Sequence, residues 1–298
     1  MRRMKKIVIA VLIAIAVFLA ISWLKLPAEQ SISNKPVLAA TIPPLADIVK
    51  NIAGDRFEVV TILPSGASPH TFDLGPTDIK RLSQAKVVFA IGHDLDAWVA
   101  GISQAQKDLP VITVDQGINL RPSVFETEEP EDPHYWLSIE NAKIISQNIA
   151  QELSNLDPVN QQEYLARAAD YQQELSALKQ EINDLLEPLK QRKLITFHES
   201  FNYFAAEYNL EVVGVFELAP GKEPTPQYLV SLQNSARQHK ITAVFSEPQL
   251  SPDVIRPFVQ DLGLELFILD PEGGVPGRES YFDLMRYNAQ IIAQALGK

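Results

Sequence analysis

Short runs of β-branched and apolar residues alternate along this chain with stretches of helical periodicity, and that alternation limits the fold more than any other feature. The runs lie at 37–42, 57–63, 87–91 and 111–114, and again at 194–197, 212–216, 243–246 and 264–269. Between most of them come segments such as PLADIVKNIAG and PTDIKRLSQA, whose apolar positions recur every three or four residues. Strand and helix in alternation predict parallel sheets covered by helices. Four runs precede residue 120 and four follow residue 190. The expected fold is therefore α/β, with two lobes, each a four-stranded parallel sheet flanked by helices.

The segment between the two sets of runs reads differently. From 158 to 189 it carries Leu165, Ala168, Tyr171, Leu175, Leu178, Ile182, Leu185 and Leu189. Steps of three and four place them on one stripe. Pro158 suits the first turn of a helix, and Pro188 disturbs only its end. This predicts one helix of about 30 residues, near 45 Å long, packed along both lobes and restricting their relative motion. A coiled-coil partner is the competing use of such a stripe. The implied boundaries are 1–35 for an N-terminal segment and linker, 36–156 for the first lobe, 157–190 for the linking helix and 191–298 for the second lobe.

The N-terminus reads MRRMKK followed by an uncharged apolar stretch from 7 to 24. A basic head before an apolar run is an export signal. About 18 residues also suffice to span a bilayer, so a retained membrane anchor is the second reading. The chain has no cysteine, which excludes disulfides, thiolate metal sites, thiol catalysis and a lipid-modified cysteine. Its net charge of −11 argues against nucleic acid and suits a cationic ligand.

Ligands of open parallel sheets bind beyond the carboxyl ends of the strands. His198 directly follows the run LITF and Asp270 directly follows LFIL. His70 lies a few residues past EVVTIL, and His134 lies in the region after VITVD. The chain has only five histidines, and these three fall where one cleft between the lobes would gather them. Three imidazoles and a carboxylate make a first-row metal site. Glu247, at another strand end, is expected to orient a ligating histidine by hydrogen bonding. His93 also follows a strand and is the nearest decoy. His239 precedes its strand and is expected to be solvated. The run FETEEPEDPHYW places Glu126, Glu128, Glu129, Glu131 and Asp132 just before His134, either as a cation-concentrating rim or as a plain solvated loop.

These segments resemble the zinc- and manganese-specific solute-binding proteins of bacterial ABC importers. The resemblance rests on GASPHTFDLGPTDIKRLSQAKVV, DPHYWLS, HESFNYFAAEYNL, GKEPTPQYL, VFSEPQ and LDPEGG in that order, and it runs from about residue 36 to the C-terminus. It implies one metal ion between two lobes bridged by a rigid helix, and delivery of that ion to a permease in the inner membrane. His70, His134, His198 and Asp270 match the family's four ligand positions. The resemblance also implies that manganese-type members carry glutamate at the third position and zinc-type members carry histidine. His198 therefore favours Zn²⁺ over Mn²⁺, in agreement with the preference of Zn²⁺ for nitrogen. The chain departs from the pattern in having Pro69 before His70, no histidine-rich loop and no lipidation cysteine.

The expectation is a monomeric, exported receptor, periplasmic or tethered to the outer face of the cytoplasmic membrane, that binds and releases its cargo without catalysis. A zinc hydrolase using Glu199 or Glu247 as general base, and a receptor for haem or a siderophore, are the alternatives from other classes.

Overall fold

Strands buried on both faces read as continuous apolar runs, and the inner strands of the two sheets are largely of that kind, whereas the edge strands are partly exposed. The computed structural model describes residues 35–123, 130–218, 222, 224–249 and 251–297. The N-terminal basic and apolar segment lies outside them, as do Glu126, Glu128 and Glu129 of the acidic run. The first lobe contains β1 (Val37–Ala40), β2 (Glu58–Thr61), β3 (Ala85–Ala90) and β4 (Val111–Thr113), in the order β2-β1-β3-β4. The second contains β5 (Lys193–Thr196), β6 (Glu211–Val215), β7 (Ala243–Ser246) and β8 (Glu265–Ile268), in the order β6-β5-β7-β8. Every pairing in both sheets is parallel. Strand order reverses between β1 and β3 and between β5 and β7, which opens a crevice at the carboxyl end of each pair.

The period-two alternation of a strand splits each sheet between two cores. Leu38 and Ala40 face a central core, whereas Ala39 faces a smaller outer one with Ile62, Val88 and Ile102. Leu194 and Ile195 divide in the same way, Ile195 joining Phe216, Val244 and Phe258 outside. The central core is continuous from Leu38 and Ile48 in the first lobe to Leu194, Phe245 and Met285 in the second.

Four helices fill that shared core: α1 (Pro43–Ala53), α4 (Ile139–Leu156), α5 (Gln161–Leu186) and α9 (Tyr281–Leu296). The remaining helices are α2 (Pro76–Arg81), α3 (Val99–Ala105), α6 (Asn202–Glu207), α7 (Pro226–Gln238) and α8 (Pro252–Leu262). The long helix α5 joins the lobes and packs against α4, α9 and α1. It has 26 residues, about 39 Å at 1.5 Å per residue, shorter than the sequence stripe suggests. Pro158 starts a separate 3₁₀ turn, Pro158–Asn160, rather than the α-helix itself. The buried stripe is Tyr164, Ala168, Tyr171, Leu175, Leu178, Ile182 and Leu186. Leu185 points outward instead, because the register of α5 gives the inward place to Leu186.

Polar ties reinforce the shared core. The Glu207 carboxylate at the end of α6 accepts from the backbone N–H of Ile139 (2.6 Å) and Glu140 (3.2 Å), covering the open N-terminus of α4. Lys179 of α5 pairs with the same carboxylate at 3.1 Å. The Tyr281 hydroxyl donates to the Trp136 carbonyl (2.7 Å), and its backbone N–H donates to Asp47 of α1 (2.9 Å). The two sheets are thus held through one packed core, which leaves little freedom for a wide hinge motion.

Candidate metal centre

The three strand-end histidines meet at one point. His70 sits on the 3₁₀ turn Pro69–Thr71 after β2, held by the Trp98 indole donating to the Pro69 carbonyl at 3.1 Å. His134 immediately precedes the turn Tyr135–Leu137 that leads into α4. His198 follows β5 and starts the turn Glu199–Phe201. The Nε2 atoms of His70 and His198 each lie 3.2 Å from Nε2 of His134. Two nitrogens about 2.05 Å from a zinc ion at tetrahedral angles would lie about 3.3 Å apart, so this spacing fits a common ion. All three nitrogens lie within 4.8 Å of one another, and among the described residues they are the one such cluster of three or more histidine or acidic groups. They line a cavity of ≈ 20 Å³, room for about one water-sized sphere, together with Glu217, Glu247 and Glu272.

Carboxylates fix two of the rings. Glu247 Oε1 lies 2.6 Å from His198 Nδ1, and Asp132 Oδ1 lies 2.8 Å from His134 Nδ1. A ring that gives its Nδ1–H to a carboxylate presents the Nε2 lone pair to the cavity. Asp132 also accepts from the His134 backbone N–H at 2.9 Å, so it fixes both the ring and its turn. The sequence points to this kind of role for Glu247 alone and places Asp132 in an acidic run. The missed signal was its position two residues before His134, within reach of a side-chain bond to that residue's own backbone.

Burial controls the protonation of these groups. It pushes His134 well below the ordinary histidine value, with His198 adding to the effect. It does the same to His70, helped by His134 and His198. At His198 burial again disfavours the charge, but Glu247 and then Glu217 outweigh it and leave the ring above the ordinary value. Burial raises Asp132 to about 7 against the pull of the His134 backbone N–H. Glu272 is held well above the carboxylate range by burial first, then by Asp270, Glu247 and Asp96. Its Oε2 is buried with no hydrogen-bond partner among the described residues.

Asp270 is at the end of β8 and fully buried, but it is not one of the groups that converge. Its Oδ1 accepts from the backbone N–H of Glu272 and Gly273, both at 3.0 Å, and its Oδ2 lies 3.3 Å from Arg278 Nε. The other two histidines stand apart. His93 contacts Asp115 at 2.9 Å through Nε2 and Glu131 at 3.1 Å through Nδ1, so both nitrogens are engaged. His239 ends α7 and lies 2.9 Å from Lys193 Nζ. Glu199 accepts from Asn202 at 2.7 Å and from Ser123, a contact that ties the second lobe to the loop before His134.

Comparison with known proteins gives this geometry a context. Residues 38–295 match the family described as the periplasmic component A of the zinc-uptake complex, ZnuA. The chain is 31% identical over 280 residues to the metal ABC transporter substrate-binding lipoprotein ScbA of Streptococcus cristatus, covering 89% of this chain and 90% of that one. It is 28% identical over 309 residues to the manganese ABC transporter substrate-binding lipoprotein PsaA of Streptococcus mitis, covering 99% and 100%. A crystal structure of a 138–173 deletion mutant of ZnuA with zinc bound superposes with a TM-score of 0.80 at 32% identity, over 88% of this chain and 98% of that one. Among the described residues no helix is long and apolar enough to cross a membrane. The chain belongs to the ZnuA family and is a metal-binding substrate-binding protein of an ABC transporter.

Proposed function

We propose that the cargo is Zn²⁺, captured between the lobes by His70, His134 and His198 and handed to a permease in the inner membrane. The single observation that carries this reading is the pair of 3.2 Å Nε2 separations around His134, which suit a small tetrahedral ion bound by nitrogen. Asp270 is the fourth ligand expected from sequence, and Glu272 is its competitor from the same loop. We assign the fourth place to Glu272, because it lines the cavity and its buried Oε2 has no hydrogen-bond partner among the described residues, whereas Asp270 Oδ1 accepts from two backbone N–H groups and its Oδ2 is ion-paired with Arg278. Asp132 and Glu247 orient the rings.

The protein acts as an exported monomer, free in the periplasm or held at the outer face of the cytoplasmic membrane by its N-terminal segment. Nothing in this reading requires catalysis, and a cavity that admits about one water-sized sphere weighs against haem or a siderophore. The oxygen-rich surround of Glu217, Glu247 and Glu272 favours a second reading in which Mn²⁺ is the cargo.

Titration of metal-free protein with Zn²⁺ and Mn²⁺, followed by thermal unfolding, tests the proposal. A ligand at about 1,000 times its dissociation constant adds roughly 4 kcal/mol of stability. One equivalent of tight zinc, with a large upward shift of Tm and weak manganese, is expected. Tight manganese with weak zinc would move the cargo to the second reading, and no shift with either ion would remove the site.

A further inference from the structure

We propose that Tyr203 is a positioning residue that ties the two lobes together beside the metal centre and, through Asp132, sets the His134 ring for the ion. The inference rests on the three-histidine reading above and extends it to a residue outside the cavity lining.

Two short stretches of the first lobe run antiparallel just before His134. Pro122 bridges Glu131, the Ser123 N–H donates to the Pro130 carbonyl at 3.2 Å, and the Asp132 N–H donates to the Arg121 carbonyl at 2.9 Å. Arg121 and Asp132 are thus directly opposite, and an opposed pair of this kind ordinarily exchanges two backbone bonds. Here only one of the two is made. The Arg121 N–H donates instead to the Tyr203 hydroxyl at 2.8 Å, and that hydroxyl donates onward to the Asp132 carbonyl at 3.0 Å. A phenol accepts one bond and donates another, so it takes the place of the missing ladder bond. Tyr203 is buried and belongs to α6 of the second lobe, so one lobe completes the backbone pairing of the other.

That junction fixes two of the histidines at once. On the second-lobe side, the turn between His198 and Tyr203 is pinned: Asn202 Nδ2 donates to Glu199 Oε1 at 2.7 Å, and Ser200 Oγ donates at 2.8 Å to Glu247 Oε1, the oxygen that meets His198 Nδ1. On the first-lobe side, Asp132 is held by Tyr203 at its carbonyl, and its carboxylate holds the backbone N–H and Nδ1 of His134. The contact of Ser123 with Glu199 keeps the same stretch of the first lobe on the second. A path through protein alone therefore links His198 to His134, and the ion closes it across the 3.2 Å gap between their Nε2 atoms.

The consequence is preorganisation, since binding loses less freedom when the donors are held in place beforehand. Without the hydroxyl, the Arg121 N–H and the Asp132 carbonyl lose their shared partner and satisfy each other directly. That draws Asp132 toward Arg121, and His134 moves with the carboxylate that orients it. The ring keeps its lone pair, but the second lobe no longer holds it opposite His198. An ion in such a site leaves faster, while its arrival changes little.

The experiment uses the full-length protein and Zn²⁺ alone. Competition with a chromogenic chelator gives dissociation constants, and mixing zinc-loaded protein with excess chelator gives release rates. Circular dichroism and thermal unfolding check the metal-free fold. Tyr203→Phe is expected to weaken zinc about 10-fold, the lower end of the scale for groups that orient a metal ligand, with the loss appearing as faster release. Tyr164→Phe is the control: it removes a hydroxyl that donates to Asp157 at 2.7 Å near the start of α5. It is expected to lower Tm as Tyr203→Phe does, yet to leave zinc affinity and release at wild-type values. Asp132→Asn is expected to weaken zinc as well, and adding Tyr203→Phe to it is expected to change the affinity by less than about twofold, because both act through one group. Zinc affinity and release unchanged in Tyr203→Phe would overturn the inference, and so would losses that multiply in the double variant. Either result leaves the three-histidine site standing. Failure of the wild type to bind zinc would instead remove the metal-site reading and this inference with it.

Discussion

Replacing Glu247 by glutamine tests how the site uses its buried carboxylates. In the wild type Glu247 Oε1 lies 2.6 Å from His198 Nδ1, a short charge-assisted contact that orients the ring and makes its Nε2 a stronger donor. Glutamine keeps the shape but not the charge. Loss of such a partner costs about 10-fold to 100-fold in metal affinity, or about 1.4–2.7 kcal/mol. The cost depends on pH, because the same carboxylate favours the imidazolium whose Nε2 proton competes with the metal. Burial disfavours charge on His198, and Glu247 is the largest influence opposing it. Without Glu247 the His198 pKa falls, and less proton competition remains in weakly acid solution. The zinc affinities of wild type and Glu247→Gln should therefore differ most near pH 8 and converge toward pH 5.5.

Stability of the metal-free protein follows the same linkage. A raised folded-state pKa means that the His198–Glu247 pair contributes stability fully present below about pH 6.5 and lost as pH rises through the folded value. His70 and His134 act in the opposite sense: their depressed values cost stability as pH falls below about 6.5. Competition titrations and thermal unfolding at several pH values measure both effects. An affinity deficit that stays constant from pH 8 to pH 5.5 would refute the argument that Glu247 governs the proton on His198.

Five further outcomes are expected. His198→Ala should remove most zinc affinity, and His198→Glu should shift preference toward manganese, both read by metal competition. Glu272→Gln should weaken zinc binding more than Asp270→Asn; the reverse order would return the fourth ligand position to Asp270. His239→Ala should leave zinc binding unchanged, since its ring is engaged with Lys193 at the amino-terminal end of the sheet, opposite the strand ends that carry the site. Trp136→Phe should lower stability by about 1–3 kcal/mol, measured by denaturant unfolding, because it strands the buried Pro271 carbonyl that accepts from the indole at 2.9 Å.

The alternation of runs makes both sheets legible in the sequence, and the strand-end rule draws His70, His134 and His198 to one cleft. These are local signals: period, branching at Cβ and position after a strand. The merging of the two lobes into one core was not legible, because it depends on α1, α4 and α9 packing against α5 from distant parts of the chain. Nor was the partner of Asp270. Its strand-end position was readable, but the path of the Gly273–Arg278 loop, which brings an arginine back onto it, is a matter of backbone turns and not of composition. Asp132 was hidden for a different reason. It ends an acidic run whose composition suggests a solvated loop, yet it is buried where Glu131 beside it is exposed.

The central claim is that three imidazoles hold one divalent ion between the lobes. X-ray absorption at the zinc edge of protein loaded with one equivalent of Zn²⁺ tests it most directly. A first shell of four light atoms at about 2.0–2.1 Å, with outer-shell scattering from three imidazole rings, is the expected result. A shell made of oxygen with no imidazole signature, or with a single ring, would contradict it.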